Sequence, residues 1–440
     1  MRANFRESST IDGCHSLSLP HCTRYAHAVK AERSIDGARL MRRLRELAAT
    51  SPIAGGGCSR LALTDDDRRG RDVVMAWMHD LGLDVQVDGI GNVVATWAVG
   101  SGAPVMTGSH IDTVRTGGVY DGNLGVVAGL EVIETCQRTG LLPSRPLAVA
   151  FFTNEEGARF APDMLGSLVY VGGMPLEEAL DVMSIDGARL GDELHAIGYE
   201  GGAPLPARPP HAFVELHIEQ GPVLEEAGVR IGAVSGVQGI SWREVTIEGQ
   251  SNHAGTTPIR LRRDAALAAA RVVVFLRMLA ERHGHDQVCT VGKLDLFPNL
   301  VNVVASRAVL TLDVRNTDEH VLRTVESEID GFLKEIERLD DVTVSVRRLV
   351  GFDPVVFDER IVSLVEQRAH DLGSSVMRMP SGAGHDAQML ARICPTGMIF
   401  VPSVRGISHN PAEHTEPADL EFGANLLLDI MLELADMEFS

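Results

Sequence analysis

The 440-residue sequence predicts an α/β fold, a sheet covered by helices on both faces and interrupted by a smaller inserted module. Three observations carry that prediction. Strand-like and helix-like segments alternate between about residues 63 and 153. Apolar runs such as 146–153 have the continuous character of strands buried on both faces. From about residue 239 the order changes to strand, helix, strand, strand, helix, strand, the β-α-β-β-α-β order of a ferredoxin-like module.

Each element has a local reason. Thr64 caps a helix over 63–81, Asp65, Asp66 and Asp67 sit on its positive N-terminal dipole, and Val74, Trp77, Met78 and Leu81 recur at helical spacing until Gly82 stops it. Short strands are expected over 84–87, 92–98 and 104–107, the last running into Gly108-Ser109-His110. A helix over 124–138 ends at Gly140, and strands follow at 146–153 and 212–216. The inserted module reads as strand 240–248, helix 262–283, strands 287–295 and 305–315, helix 319–338 and strand 342–350. Helices 359–372 and 385–393, strand 397–401 and helix 419–435 return to the first style. The expected division is therefore an extension over 1–33, one domain from 34–238 and 352–440, and an insert over 239–351. The heptapeptide Ser-Ile-Asp-Gly-Ala-Arg-Leu occurs at 34–40 and again at 184–190, and we read both copies as helix starts.

Bulk properties narrow the function classes. The 60 acidic and 40 basic residues give a formal charge of −20, which repels nucleic-acid phosphates and anionic membranes. No apolar run approaches the length of a membrane span, and the first 33 residues lack a secretory apolar core, so they read as a weakly ordered extension. The six cysteines form no CxxC pair, which suits a reducing cytoplasm. The pairs Cys14-His15 and His21-Cys22 lack the flanking turn or strand pattern that a zinc knuckle needs.

Polar clusters fall just beyond strand ends, where an α/β sheet places its chemistry. His110 and Asp112 are two apart, so in extended chain they share a side and the Asp112 carboxylate can take the second ring N–H of His110. Asp121 lies among glycines in Gly117-Gly118-Val119-Tyr120-Asp121-Gly122, which lets it approach a small group closely as a candidate bridging ligand. Adjacent Glu155 and Glu156 repel unless a cation or a proton compensates them. His217 and His409 also follow apolar strands. Each taken alone reads more readily as a structural residue than as a ligand. The set suits borderline divalent ions such as Zn²⁺, Mn²⁺ or Co²⁺. Nucleophile-elbow, HExxH and phosphate-loop patterns are absent, which leaves metal-activated water.

The motifs GSHIDTVRTGGVYDG, FFTNEEGARF, ELHIEQGPVLE, SNHAGTTP, PNLVNVVASRAVLTLDVRN, SGAGHDA and ISHNPAEHT stand in an order that resembles the M20 metallopeptidase-like family, in its hydantoinase/carbamoylase branch. The likeness runs from about Ser34 to the C-terminus. It implies a zinc-peptidase-like catalytic domain with an inserted ferredoxin-like lid and dimerisation domain. It also implies two divalent metals, one held by His110, Asp121 and His217, the other by Asp121, Glu156 and His409. By the same resemblance Glu155 is the general base, and His253 stabilises the oxyanion, partly across a homodimer. Asn302 and Arg315 grip the substrate carboxylate, while Gln220 and His385 stand on the substrate side. The activity implied is hydrolysis of an N-carbamoyl-L-amino acid, a small ureido carboxylate, with allantoate as the alternative substrate and a dipeptidase or aminoacylase as a more distant one.

Overall fold

The computed structural model describes residues 33–284 and 286–439. The extension up to residue 32, with its Cys-His pairs, lies outside the described residues. In chain order the strands are β1 (Asp84–Val87), β2 (Val93–Trp97), β3 (Val105–His110), β4 (Leu147–Phe152), β5 (Ala212–Ile218), β6 (Ile231–Val237) and β7 (Gly239–Glu248). They continue as β8 (Val288–Phe297), β9 (Arg307–Asn316), β10 (Thr343–Phe352), β11 (Val355–Val356), β12 (Val376–Ser381) and β13 (Thr396–Val401).

The larger sheet has nine strands in the order β1-β2-β4-β3-β5-β13-β6-β11, with β12 paired to β6. Its centre, β4-β3-β5-β13, is parallel, and every residue of these four strands is buried. That is the burial expected of strands covered on both faces. The helices Gly37–Ala48, Asn123–Thr139 and Pro417–Asp436 pack together over this centre, with Leu124, Val127, Leu427 and Met431 wholly buried among the core residues. The register aligns His110 with Phe152, and His217 with Phe400, so the carboxyl ends of the parallel strands finish level. Glu155 follows the end of β4 by three residues.

The smaller sheet is antiparallel throughout, in the order β10-β7-β9-β8. The alternating burial of β9 shows one face turned to a core, where Leu310, Leu312 and Val314 meet Val272 and Leu276 of helix Ala265–His283 and Ile329 and Leu333 of helix Glu319–Asp340. The β-α-β-β-α-β order read from the sequence is therefore present.

Several boundaries differ from expectation for physical reasons. Asp264 accepts from the N–H groups of Ala266 and Leu267, so the helix expected from 262 begins at Ala265. The helix expected over 385–393 is only Asp386–Leu390, and His385 precedes it in extended conformation. Strands β6, β11 and β12 and the short helices Leu165–Tyr170, Leu176–Leu180 and Val223–Ala227 have no counterpart in the sequence reading. The two heptapeptides part ways. Asp36 caps the helix that starts at Gly37, whereas Ser184 and Ala188 close a turn and the helix begins only at Leu190.

Candidate active site

His110 is the last residue of β3, and its imidazole is held from two sides. Its Nδ1 lies 2.9 Å from the backbone carbonyl oxygen of Asp112, which fixes Nδ1 as the donor and turns Nε2 towards the site. This corrects the expectation that the Asp112 carboxylate would do so. That carboxylate instead accepts the backbone N–H groups of Glu155, at 3.2 Å, and Glu156, at 3.4 Å. On the other side lies Gly122, with φ +65°, where an added Cβ would stand 2.4 Å from the His110 ring. A glycine there lets the loop carrying Asp121 close over the imidazole.

Asp121 joins the predicted groups. Its Oδ1 is 3.2 Å from Nε2 of His217 and 3.9 Å from Nε2 of His110. Its Oδ2 is 3.2 Å from Nε2 of His409, which is 3.2 Å from Oε2 of Glu156. Two triads thus share one carboxylate: His110, Asp121 and His217, and Asp121, Glu156 and His409, each with its ligand atoms within 4.8 Å of one another. Nitrogen and oxygen donors in this number and spacing fit borderline divalent cations. Glu155 Oε2 lies 3.3 Å from His110 Nε2, beside the triads.

The electrostatics of the cluster favour positive charge. Hydrogen bonds to Asp121 and then Glu156 raise the His409 imidazole to about 11. Burial opposes charge on His217, but Asp121 outweighs it and raises that ring to about 9. Burial, reinforced by Asp386 and Glu156, pushes the Glu155 carboxyl well above the usual range, and burial, reinforced by Asp67 and Glu156, lifts Asp112 to about 8. His217, with Glu215 and His385, also forms a third close group. There Glu215 is already engaged, accepting from Ser109 Oγ at 2.6 Å and from the backbone N–H of Ala387 at 2.9 Å.

The triads open into a cavity of about 190 Å³ that is also lined by Gln220, His385, Asp163 and, from the smaller sheet, Ile240, Trp242 and Arg315. Gln220 has φ +58° and donates from Nε2 to Asp121 at 3.0 Å. His385 is buried, its Nε2 2.8 Å from Ser381 Oγ. Arg315 holds Asp313 through Nε at 3.0 Å and Nη2 at 2.9 Å, and Nη1 donates to the Gly382 carbonyl at 2.6 Å, so it spans the two sheets. His253 and Asn302 are not in this cavity. Both are exposed, on neighbouring chain segments joined by the Ala254 N–H to the Asn302 carbonyl at 2.9 Å. The His253 Nδ1 accepts from Gly255 N–H at 3.0 Å.

Sequence reading missed Glu413 and Asp163. The buried Glu413 carboxylate accepts from Tyr120 N–H at 3.0 Å, Asp121 N–H at 3.2 Å and Ser408 Oγ at 2.9 Å, and so holds the Asp121 loop. Its one signal was an acid within the motif that carries His409.

Comparison with known proteins gives the family and its relatives. The description "Peptidase family M20/M25/M40" matches residues 106–433. An N-carbamoyl-L-amino-acid amidohydrolase of Rhizobium meliloti is 40% identical over 408 residues, 92% of this chain and 98% of the relative. An allantoate amidohydrolase of Bacillus subtilis is 34% identical over 394 residues, 88% of this chain and 95% of the relative. A solved amidase of the hydantoinase/carbamoylase family from Burkholderia multivorans is similar at 42% identity and a TM-score of 0.89, over 92% of this chain and 99% of that one.

Proposed function

The chain belongs to peptidase family M20/M25/M40, and from that membership we propose that it is a metal-dependent amidohydrolase converting an N-carbamoyl-L-amino acid and water to the amino acid, CO₂ and ammonia. One observation carries the reading. Two triads share Asp121 beside Glu155, in the same cavity as an arginine suited to a substrate carboxylate.

In this reading His110, Asp121 and His217 hold one divalent cation and Asp121, Glu156 and His409 the other, as Zn²⁺, Mn²⁺ or Co²⁺. When bound, the two cations lower the pKa of water and polarise the carbonyl. Glu155 accepts a proton from the attacking water and hands it to the departing nitrogen. Asp112 holds the Glu155 and Glu156 backbone in place. Arg315 presents paired donors to the substrate carboxylate, with Gln220 and His385 on the walls beside it. Residues 34–238 and 352–440 form the catalytic domain, and 239–351 the lid and dimerisation domain.

His253 and Asn302 act from a second copy of the chain in a homodimer. What supports this is their exposure away from the cavity of their own chain, together with an apolar helix face carrying Leu267, Val274 and Met278, exposed by 45%, 59% and 59%. Four free cysteines among the described residues, and the absence there of any helix long and apolar enough to cross a membrane, fit a cytoplasmic setting. The test is product analysis. N-Carbamoyl-L-amino acids should release ammonia and free amino acid in equal amounts, while dipeptides and N-acyl amino acids are poor; cleavage of dipeptides alone would sink the proposal.

A further inference from the structure

We infer that Asp163 determines specificity, selecting N-carbamoyl amino acids whose side chain ends in a cationic N–H group over those with aliphatic side chains; this rests on the carbamoylase reading above. Asp163 lines the cavity of the triads together with Arg315, Ile240 and Trp242. With the carbamoyl group at the triads and the substrate carboxylate on Arg315, the other walls are left to the side chain. Ile240 and Trp242 offer apolar surface there, and Asp163 offers a carboxylate.

The backbone of the loop that carries it is held firmly. Asn154 Nδ2 donates to the carbonyls of Phe160, at 2.8 Å, and Pro162, at 3.2 Å. The N–H of Met164 donates to the Glu155 carbonyl at 2.7 Å, so the loop is tied to the chain that carries Glu155. At Gly157, φ +61°, an added Cβ would stand 2.8 Å from the Asp163 Cα. These constraints fix Asp163 before substrate arrives, which is what a specificity contact requires.

Its partners are few. Burial pushes the Asp163 carboxyl up, while its own backbone N–H and the charge of Arg315 act against that; no other side chain among the described residues bonds to it. Arg315 is already shared with Asp313. A substrate carboxylate seated on Arg315 takes more of that charge and leaves Asp163 facing the substrate unpaired. An aliphatic side chain would cover the carboxylate and give nothing in return, whereas an ammonium or guanidinium supplies the donor it lacks.

The test compares kcat/KM for N-carbamoyl-L-lysine and N-carbamoyl-L-norleucine, which differ in the terminal ammonium. The wild type should prefer the lysine derivative by about tenfold or more, the scale of one charged hydrogen bond. Asp163→Asn should abolish that preference, lowering kcat/KM for the lysine derivative while that for the norleucine derivative rises, because the amide keeps the size and no longer leaves a charge under the aliphatic chain. Metal content and melting temperature, read on the same samples, report whether the variant folds. A wild type that prefers norleucine overturns the inference whatever the variant does, and so does an equal fall for both substrates. Wild-type protein that hydrolyses neither overturns the carbamoylase reading first and the inference with it.

Discussion

Asp121 is the hinge of the account at the scale of single residues, because each of its oxygens faces a different imidazole. The adjacent Glu155 and Glu156 then divide the remaining work by direction, one towards His110 and the other towards His409. Glu155→Gln should keep metal content while ammonia release falls on the order of 10²-fold or more, as for a missing general base. Glu156→Gln should lower metal content by elemental analysis; the reverse pattern would show the roles to be exchanged. Arg315→Lys keeps the charge and loses the paired donors, so kcat/KM should fall by roughly 1.5 to 3 kcal/mol worth of binding, seen first in KM. His110, Glu155, Glu156 and His217 were legible because each stands at or within four residues of a strand end, whereas Asp121 was reached through the glycines around it and His409 through the motif that carries it. Glu413 was not, because its contacts reach 292 and 293 positions back along the chain.

Among the elements, long periodic segments were readable and short ones were not. Helix Asp65–Asp80 announced itself by its cap and apolar spacing. Strand β6, with the sequence IGAVSGV, carries two glycines that blur the signal, yet pairing with β12 and β13 makes it a strand. Within the smaller sheet, Glu326 ties helix Glu319–Asp340 to β7. Burial alone would raise its carboxyl, but the Ser241 hydroxyl, Arg323 and Arg243 outweigh that and hold it at about 2. A depressed carboxylate stabilises above its unfolded value, near 4.5, and its contribution disappears as pH falls through about 2. Glu326→Gln should therefore cost about 1 kcal/mol at pH 7, allowing for solvent at its edge, with the difference from wild type narrowing steadily below pH 4.5 in urea titrations. A difference independent of pH would mean that packing, not charge, holds the helix to the sheet.

At the scale of the whole molecule, residues of both sheets line one cavity, where Arg315 of the smaller bonds Gly382 and faces the same space as the triads. In the proposed homodimer a second copy would add residues that this cavity lacks, and complementation tests it. Mixing and refolding inactive Glu155→Gln and His253→Ala proteins should restore about a quarter of wild-type activity, since half the dimers are mixed and one of their two sites is whole. No recovery in verified mixed dimers would place His253 outside the shared site. The most direct test of the central claim is ammonia release from N-carbamoyl-L-amino acids before chelation, after it, and after return of Mn²⁺, Co²⁺ or Zn²⁺. Activity should vanish with the metals and return with about two ions bound per chain. Undiminished ammonia release by metal-free protein would contradict that claim.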